Sequence, residues 1–280
     1  AAGEASPYTS PHMSGTGRDG YVEVTTTPAY AHSFLLTGLL SPDYVDVGGN
    51  GITEDDLGSS VKFNYTYLGE HQWRTPHTPN TPQALANFNP GSRSEIKDDK
   101  GIVSTGKRES WYLHSVESKS MIALFTLDTR NDGKGIIDGV NGGINGSDTS
   151  IRGLRKIDLY NKADIKKNGL TNARPIKTVH FDYDYSLCKN TRDNTNPGEG
   201  KLTLKSIWFT YNGQRQNSSQ KNKYLSSYYS DNAQNPAENP DFSFNSSDRW
   251  GNYKPVSASP DNMPNSLYPY STQSKTSADL

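Results

Sequence analysis

The sequence predicts an all-β protein, an antiparallel meander with long polar loops, in the form of a sandwich, a propeller-like sheet or a shell-like sheet. Three observations predict it. Hydrophobic residues make up only 31% of the 280 residues, yet aromatic residues reach 10% and include 17 tyrosines. Charge is nearly balanced at a net −1, whereas disordered chains are poor in aromatics and carry uncompensated charge. The apolar residues fall into short alternating runs, and a strand needs an apolar residue only at every second position.

In chain order, an alternating run at 21–27 predicts a first strand. Residues 31–40 fit a buried strand or a short helix, and periodicity does not decide between them. Residues 61–67 predict a strand with Val61, Phe63, Tyr65 and Tyr67 on one face. Residues 74–99 are rich in Pro, Asn and Thr and predict a long loop, with one short helix near 83–87.

Further along, residues 111–116 and 121–127 flank a polar turn and predict a hairpin. Three more alternating runs, at 154–160, 176–185 and 202–211, predict consecutive strands. Sequential strands usually pair, which favours an antiparallel meander. We expect three regions: 1–100 with an Asp-rich loop and a long Pro/Asn-rich loop, 101–213 as the meander, and 214–280 as a polar, partly irregular Tyr/Ser/Asn-rich segment.

Composition excludes several functions. No run approaches the 18 apolar residues of a membrane span. A net charge of −1 offers no basic footprint for nucleic acid. A single cysteine, Cys188, cannot form an internal disulfide. The absence of an initiator Met indicates a mature or excised piece of something longer.

The residues from 46 to 57 are the main candidate for a metal site. Calcium loops place oxygen ligands at alternate positions, a glycine at position 6 and a backbone carbonyl at position 7. Gly51 takes position 6, Gly48 leaves position 3 without a side-chain oxygen, and Leu57 stands where an EF-hand has its bidentate Glu. An acidic β-turn is the alternative interpretation. The predicted calcium ligands are Asp46, Asn50, the Ile52 carbonyl, Glu54, Asp55 and Asp56.

Other candidates are weaker. A second acidic, Gly-rich loop spans 128–138, with Arg130 where a ligand would stand, and we expect it to be solvated. Gly15, Gly17 and Gly20 spell a dinucleotide-binding loop, but no strand precedes them. His180 and Asp182 share a strand face, which we interpret as a polar face. Exposed aromatics in the last region could bind sugar or peptide: Tyr228, Tyr229, Trp250, Tyr253, Tyr268 and Tyr270.

Three features of the sequence resemble parts of known bacterial proteins. Residues 41–58 resemble the Asp-rich loop of FG-GAP/VCBS-type repeats. The runs 154–160, 175–185 and 201–211 resemble segments upstream of Rhs/YD repeats, and 248–253 is similar to an Asp-x-Trp-Gly element of those proteins. The resemblance covers 41–67 and 154–253. It implies a very large secreted or surface polypeptide whose segments build β-propellers or a β-sheet shell, sometimes around a toxin.

These observations lead to three hypotheses. The first is a non-catalytic scaffold segment of a large bacterial extracellular or toxin-delivery protein, located outside the cell or at its surface. Its partners would be other domains of the same polypeptide or neighbouring subunits. The second is a calcium-dependent carbohydrate- or surface-binding module. The third, a glycan hydrolase, would need two carboxylates about 5–10 Å apart in a cleft, and we predict no catalytic residues.

Overall fold

The computed structural model describes residues 24–75, 77, 87–88, 101–102, 104–139, 142–213, 223–226 and 241–242. Nearly all of its regular structure is β-strand. The strands are β1 (Gly38–Leu40), β2 (Ser60–Thr75), β3 (Asn87–Phe88), β4 (Gly101–Ile102), β5 (Ser104–Glu117), β6 (Met121–Thr129), β7 (Ile136–Asp138), β8 (Gly142–Ile144), β9 (Arg152–Asn161), β10 (Lys177–Leu187), β11 (Lys201–Tyr211) and β12 (Tyr224–Leu225), with one helix, α1 (Lys162–Asn168).

Eight of these strands form one open antiparallel sheet in the order β1-β2-β5-β6-β9-β10-β11-β12. Two small hairpins, β3–β4 and β7–β8, are inserted in the connections. The order follows the chain, so the predicted all-β meander is confirmed. The sheet takes strands from all three of the regions 1–100, 101–213 and 214–280. No helix within the described residues has the length and apolar character needed to cross a membrane.

The two faces of the sheet differ in chemistry. Because side chains alternate between faces, residues that are opposite each other across neighbouring strands lie on the same face. One ladder across β6, β9, β10 and β11 is apolar and comprises Phe125, Ile157, Val179 and Phe209. The adjacent ladder, on the other face, is mostly polar and comprises Leu124, Asp158, Thr178 and Thr210.

Buried residues are mostly polar. Among the described residues, Ile136 and Ala173 are the only buried hydrophobic residues, whereas fifteen polar or charged residues are buried. Two stacked sheets would bury whole apolar faces between them. The described part of the chain is therefore a thin, single-layer sheet.

The sheet splits between β5 and β6. These strands pair only through Ser115–Glu117 and Ile122–Leu124. Beyond that point β2 and β5 continue as a two-stranded ribbon, paired as far as Thr75 and Ser104. We call residues 65–75 of β2 with residues 104–113 of β5 the ribbon. Residues 130–139 and 142–150, which include β7 and β8 and which we call the wedge, lie against it.

Helix α1 was not predicted, although its ends carry the usual signals. The Asn161 side chain accepts a hydrogen bond from the Ala163 amide, Asp164 lies in the first turn, and Gly169 follows the last residue with φ of 74°. These are the N-cap, dipole and C-cap preferences of a helix. The predicted helix near 83–87 lies outside the described residues except for Asn87, which belongs to β3.

The N-terminal part of the chain differs from the predictions. Residues 24–27 of the predicted first strand have no regular structure, and they are exposed. Only Gly38–Leu40 of the run 31–40 forms a strand, and it lies at the sheet edge with Leu39 and Leu40 more than half exposed. The prediction that a strand in residues 31–40 is buried is wrong, because the strand that forms there is an exposed edge strand of the sheet.

Candidate functional site

The Asp-rich loop, residues 46–56, is closed mainly by its own backbone. The Asp46 carboxylate accepts hydrogen bonds from the amides of Gly49, Asn50 and Gly51, with N–O distances of 2.6, 3.3 and 2.9 Å. Gly49 and Gly51 both have positive φ, which glycine adopts without steric cost. Asp46 thus shapes the turn that surrounds it.

Asp56 closes the other end of this loop. Its carboxylate accepts hydrogen bonds from the Tyr44 hydroxyl at 2.6 Å and from the Thr53 and Val47 amides at 2.7 and 3.2 Å. Only 1% of its surface is exposed. The Tyr44 hydroxyl is the main cause that lowers the pKa of Asp56, and the same bond raises the pKa of Tyr44 to about 12.

Three other predicted calcium ligands also have partners. Glu54 lies 3.4 Å from the Lys162 ammonium, and Asp55 accepts from the Thr53 hydroxyl at 2.7 Å. The Ile52 carbonyl accepts from Lys62 Nζ at 3.4 Å. The described residues contain no group of three or more His, Cys, Asp or Glu side chains placed to hold a metal ion. Calcium binding by this loop remains a prediction.

A second cluster joins the ribbon to the wedge, and the sequence did not indicate it. His71 on β2 and Asp148 in the wedge form a buried pair, with 2.8 Å between Nδ1 and Oδ2. Asp148 also accepts from the Gly135 amide at 2.7 Å and from the Ser150 amide and hydroxyl at 2.8 and 2.6 Å. Burial alone would raise the pKa of Asp148, but hydrogen bonds from Ser150, His71 and Gly135 outweigh it and lower that pKa. The buried carboxylate is held as an anion.

The cluster contains Ser, His and Asp, but not in the order of a catalytic triad. In a triad the serine hydroxyl contacts one ring nitrogen and the carboxylate contacts the other. Here Ser150 Oγ lies 3.3 Å from the same Nδ1 that contacts Asp148, and it donates directly to Asp148. The His71 ring therefore does not lie between the Ser150 hydroxyl and the Asp148 carboxylate. The cluster joins the ribbon to the wedge through polar contacts, and we call His71, Asp148 and Ser150 the clasp.

Further bonds fix the wedge. The Arg152 amide, at the start of β9 just after the wedge, donates to the Tyr112 hydroxyl on the ribbon at 2.9 Å. Lys134 Nζ donates to the Asp148 carbonyl at 2.9 Å. His77 follows the ribbon beside the Lys134 and Gly135 backbone, and burial lowers its pKa.

Asp132 connects the wedge to β11. Its carboxylate is 2% exposed and receives two hydrogen bonds from the Arg130 guanidinium, at 2.9 and 2.7 Å. It also accepts from the Leu202 amide at 2.9 Å. The expectation that the acidic loop at 128–138 is solvated is wrong for its centre, because the bonds from Arg130 and from Leu202 of β11 satisfy the Asp132 carboxylate away from water.

A third cluster lies on the polar face of β10 and β11. Asp182 accepts from Ser206 Oγ, Lys223 Nζ and Trp208 Nε1 at 2.7, 2.7 and 3.2 Å. Burial raises its pKa, but these bonds, led by that from Lys223, lower it to about 2. His180 stacks on Trp208 with ring centroids 3.8 Å apart. The polar strand face predicted there is present.

The glycine-rich motif at 15–20 and the aromatic residues predicted to bind sugar or peptide lie outside the described residues. An exposed aromatic pair occurs elsewhere, on the ribbon. Tyr67 and Trp111 are opposite each other on β2 and β5, with ring centroids 5.1 Å apart, and are 44% and 47% exposed.

Comparison with known proteins provides no relative. No protein-family model, no curated protein and no solved structure matches this chain.

Proposed function

We propose that the chain is a non-catalytic scaffold segment of a large bacterial extracellular or toxin-delivery protein. The observation that carries the proposal is the open, single-layer sheet, in which buried residues are mostly polar and many large apolar side chains face outward. A sheet of this kind gains stability when a neighbour covers it, because burying apolar surface is the main favourable term in folding and association.

The β1 edge supports this role. No described strand pairs with the outer side of β1. Exposed apolar residues surround it, including Phe34 at 90%, Leu40 at 53% and Leu57 at 60% exposure. An open groove of about 410 Å³ lies beside it. Apolar patches and open strand edges are both places where another chain or domain adds on.

The opposite edge has the same character. β12 is only two residues long, and its Tyr224 and Leu225 side chains are 68% and 78% exposed. Open edges at both ends suit a segment that continues into other domains of the same polypeptide or into neighbouring subunits. The extracellular or cell-surface location follows from the resemblance to secreted bacterial proteins.

The native protein tests this proposal directly. Antibodies raised against the 280-residue chain would be used to blot the source cells and to measure the mass of the captured protein. We expect a polypeptide much larger than 30.9 kDa that is removed when intact cells are treated with protease. A native product of 30.9 kDa, or one protected from protease until lysis, would contradict it.

A calcium-dependent carbohydrate- or surface-binding module is the second candidate. The exposed carboxylates of Glu54 and Asp55 in the Asp-rich loop favour it. Their present contacts, to Lys162 and Thr53, are ones that a cation could replace. Calorimetric titration with CaCl2 should show one site that is lost in Asp46→Ala and kept in the control Asp128→Ala. Absence of heat at millimolar calcium would exclude it.

A further inference from the structure

The ribbon carries a small exposed surface of aromatic and acidic side chains. Tyr67 and Trp111 form a cross-strand pair whose ring planes meet at 40°. Glu109 accepts a hydrogen bond from Trp111 Nε1 at 2.7 Å, which fixes the orientation of the indole ring. Glu70 pairs with Glu109 across the strands, next to the aromatic rings. We call Tyr67, Glu70, Glu109 and Trp111 the aromatic patch.

The patch has an energetic cost in the isolated chain. Like charges opposite each other on neighbouring strands are destabilising. Lys107 lies 3.6 Å from Glu70, but both side chains are about 60% exposed, at 62% and 58%, and such surface pairs contribute little. Both carboxylate side chains and both aromatic rings are exposed.

The backbone keeps the space beside the rings open. The pairing of β2 and β5 shifts register between Tyr67 and Glu70, which marks a bulge. Gly69 lies in this bulge with φ of 111°, and a Cβ added there would meet nothing within 4 Å. Bulges redirect neighbouring side chains, and glycines inside strands are found where a ligand approaches the backbone closely.

These groups match the chemistry of a sugar ring. A pyranose with equatorial hydroxyls has an apolar C–H face, which stacks on a Trp or Tyr ring, and a rim of hydroxyl donors. An ionised carboxylate accepts hydrogen bonds and donates none. Glu70 and Glu109 can therefore accept hydrogen bonds from those hydroxyl groups. Aromatic side chains with one apolar and one polar part are suited to such mixed surfaces.

We infer that the aromatic patch binds a neutral glycan, with one sugar ring stacked on Trp111 and Tyr67 and its hydroxyls donating to Glu109 and Glu70. The inference goes beyond both proposed functions, because it is independent of the scaffold role and of the calcium-dependent candidate. It requires no calcium, because the patch shares no residue with the Asp-rich loop.

The test uses the full 280-residue chain with four hexasaccharide probes, cellohexaose, chitohexaose, laminarihexaose and mannohexaose, and with decalysine as a cationic comparison. Affinity is measured by calorimetry with and without EDTA, and the Trp111 indole N–H signal is followed by NMR. We expect at least one hexasaccharide to bind saturably and to shift that signal, with or without EDTA.

Variants give the test its specificity. Trp111→Ala should weaken binding at least about tenfold, a loss of roughly 1.4 kcal/mol. Glu109→Gln, which leaves the ring in place, should also weaken it by several fold. Trp73→Ala is the matched control: this Trp lies on the same ribbon, its ring is packed over Gly106, and its removal should leave affinity within about twofold.

Four results would overturn the inference. They are no binding of any probe at millimolar concentration, equal losses in Trp111→Ala and Trp73→Ala, loss of binding in EDTA, and a shift of the Trp111 signal by decalysine instead of by the sugars. The last would assign the patch to a cationic polypeptide. None of these results bears on the native mass that tests the scaffold role.

Discussion

The Asp-rich loop and the wedge have similar compositions, but the loop is largely exposed whereas the main carboxylates of the wedge are buried. Both are rich in Asp, Gly and Asn. In the Asp-rich loop, Asp46 bonds to amides three to five residues away, and the surrounding residues are exposed. In the wedge, Asp148 bonds to a residue 77 positions away and Asp132 to one 70 positions away, and both are buried. The span of the hydrogen bonds, and not the composition, separates a local turn from a structural junction.

The largest effect should come from removing the carboxylate at the centre of the clasp. Asp148→Ala leaves the Gly135 amide, the Ser150 amide and the His71 ring buried without their acceptor. Unpaired buried groups of this kind cost about 3–5 kcal/mol together. Urea unfolding should show a lower midpoint. Asp128→Ala, at a side chain 54% exposed, is the control and should change the free energy of unfolding by less than about 0.5 kcal/mol. Equal effects of the two would mean that the clasp is not structural.

A smaller effect is expected at the junction with β11. Asp132→Asn replaces one acceptor oxygen with a donor that faces the Arg130 guanidinium or the Leu202 amide. We expect a loss of about 2 kcal/mol and faster hydrogen exchange at the Leu202 amide. If the Leu202 amide exchanges at the wild-type rate in this variant, then Arg130 alone fixes the position of residue 132.

Acid should weaken the wedge in two steps. Burial lowers the pKa of His77 below its ordinary 6.5, so the unfolded chain binds more protons and stability decreases as the pH falls below about 6.5. The pKa of Asp148 lies below 3.8 in the folded state, so its contribution is complete above that pH and is lost as the pH falls through the folded-state value. Urea unfolding between pH 3 and 8 measures both steps. His77→Gln should remove only the step near neutral pH, and an unchanged profile would exclude His77 as its source.

The smallest effect should follow from a change in the Asp-rich loop. Asp46→Ala removes the acceptor of three exposed amides, which water can replace. We expect a global loss of less than about 1 kcal/mol, with faster exchange confined to the Gly49, Asn50 and Gly51 amides. A loss as large as that of Asp148→Ala would remove the distinction between the two regions.

Strands with clear alternation could be predicted from the sequence. The runs 61–67, 154–160, 176–185 and 202–211 each lie within one strand of the sheet, apart from Ile176, which precedes β10. Their period-2 pattern is local information, and each strand keeps it because one face is apolar. The predicted hairpin 111–116/121–127 is also present. The shortness of the β5–β6 pairing could not be predicted, because it depends on where β5 and β6 separate. Beyond that point β5 pairs only with β2, and β6 only with β9.

The buried clusters could not be predicted for a related reason. His71 and Ser150 are 79 residues apart, and nothing near either of them indicates a partner. The pattern that predicts a metal site in the Asp-rich loop lies within one short segment. The acidic residues of the wedge have patterns that suit any solvated loop. Likewise, residues 61–67 predicted the face that carries Tyr67, but not that Trp111 would lie opposite it.

Because β5 and β6 share only three residue pairs, the sheet has two sides that are weakly connected. A pulling force on the ribbon would reach the rest of the sheet through those pairs, the Tyr112–Arg152 contact, the ion pairs of Lys162 with Glu54 and Glu117, and the clasp. On one side lie β1, β2 and β5, and on the other β6 and β9 to β12. Regions joined by so few bonds open as separate cooperative units. The chain should therefore unfold in two steps under a pulling force, one for each side.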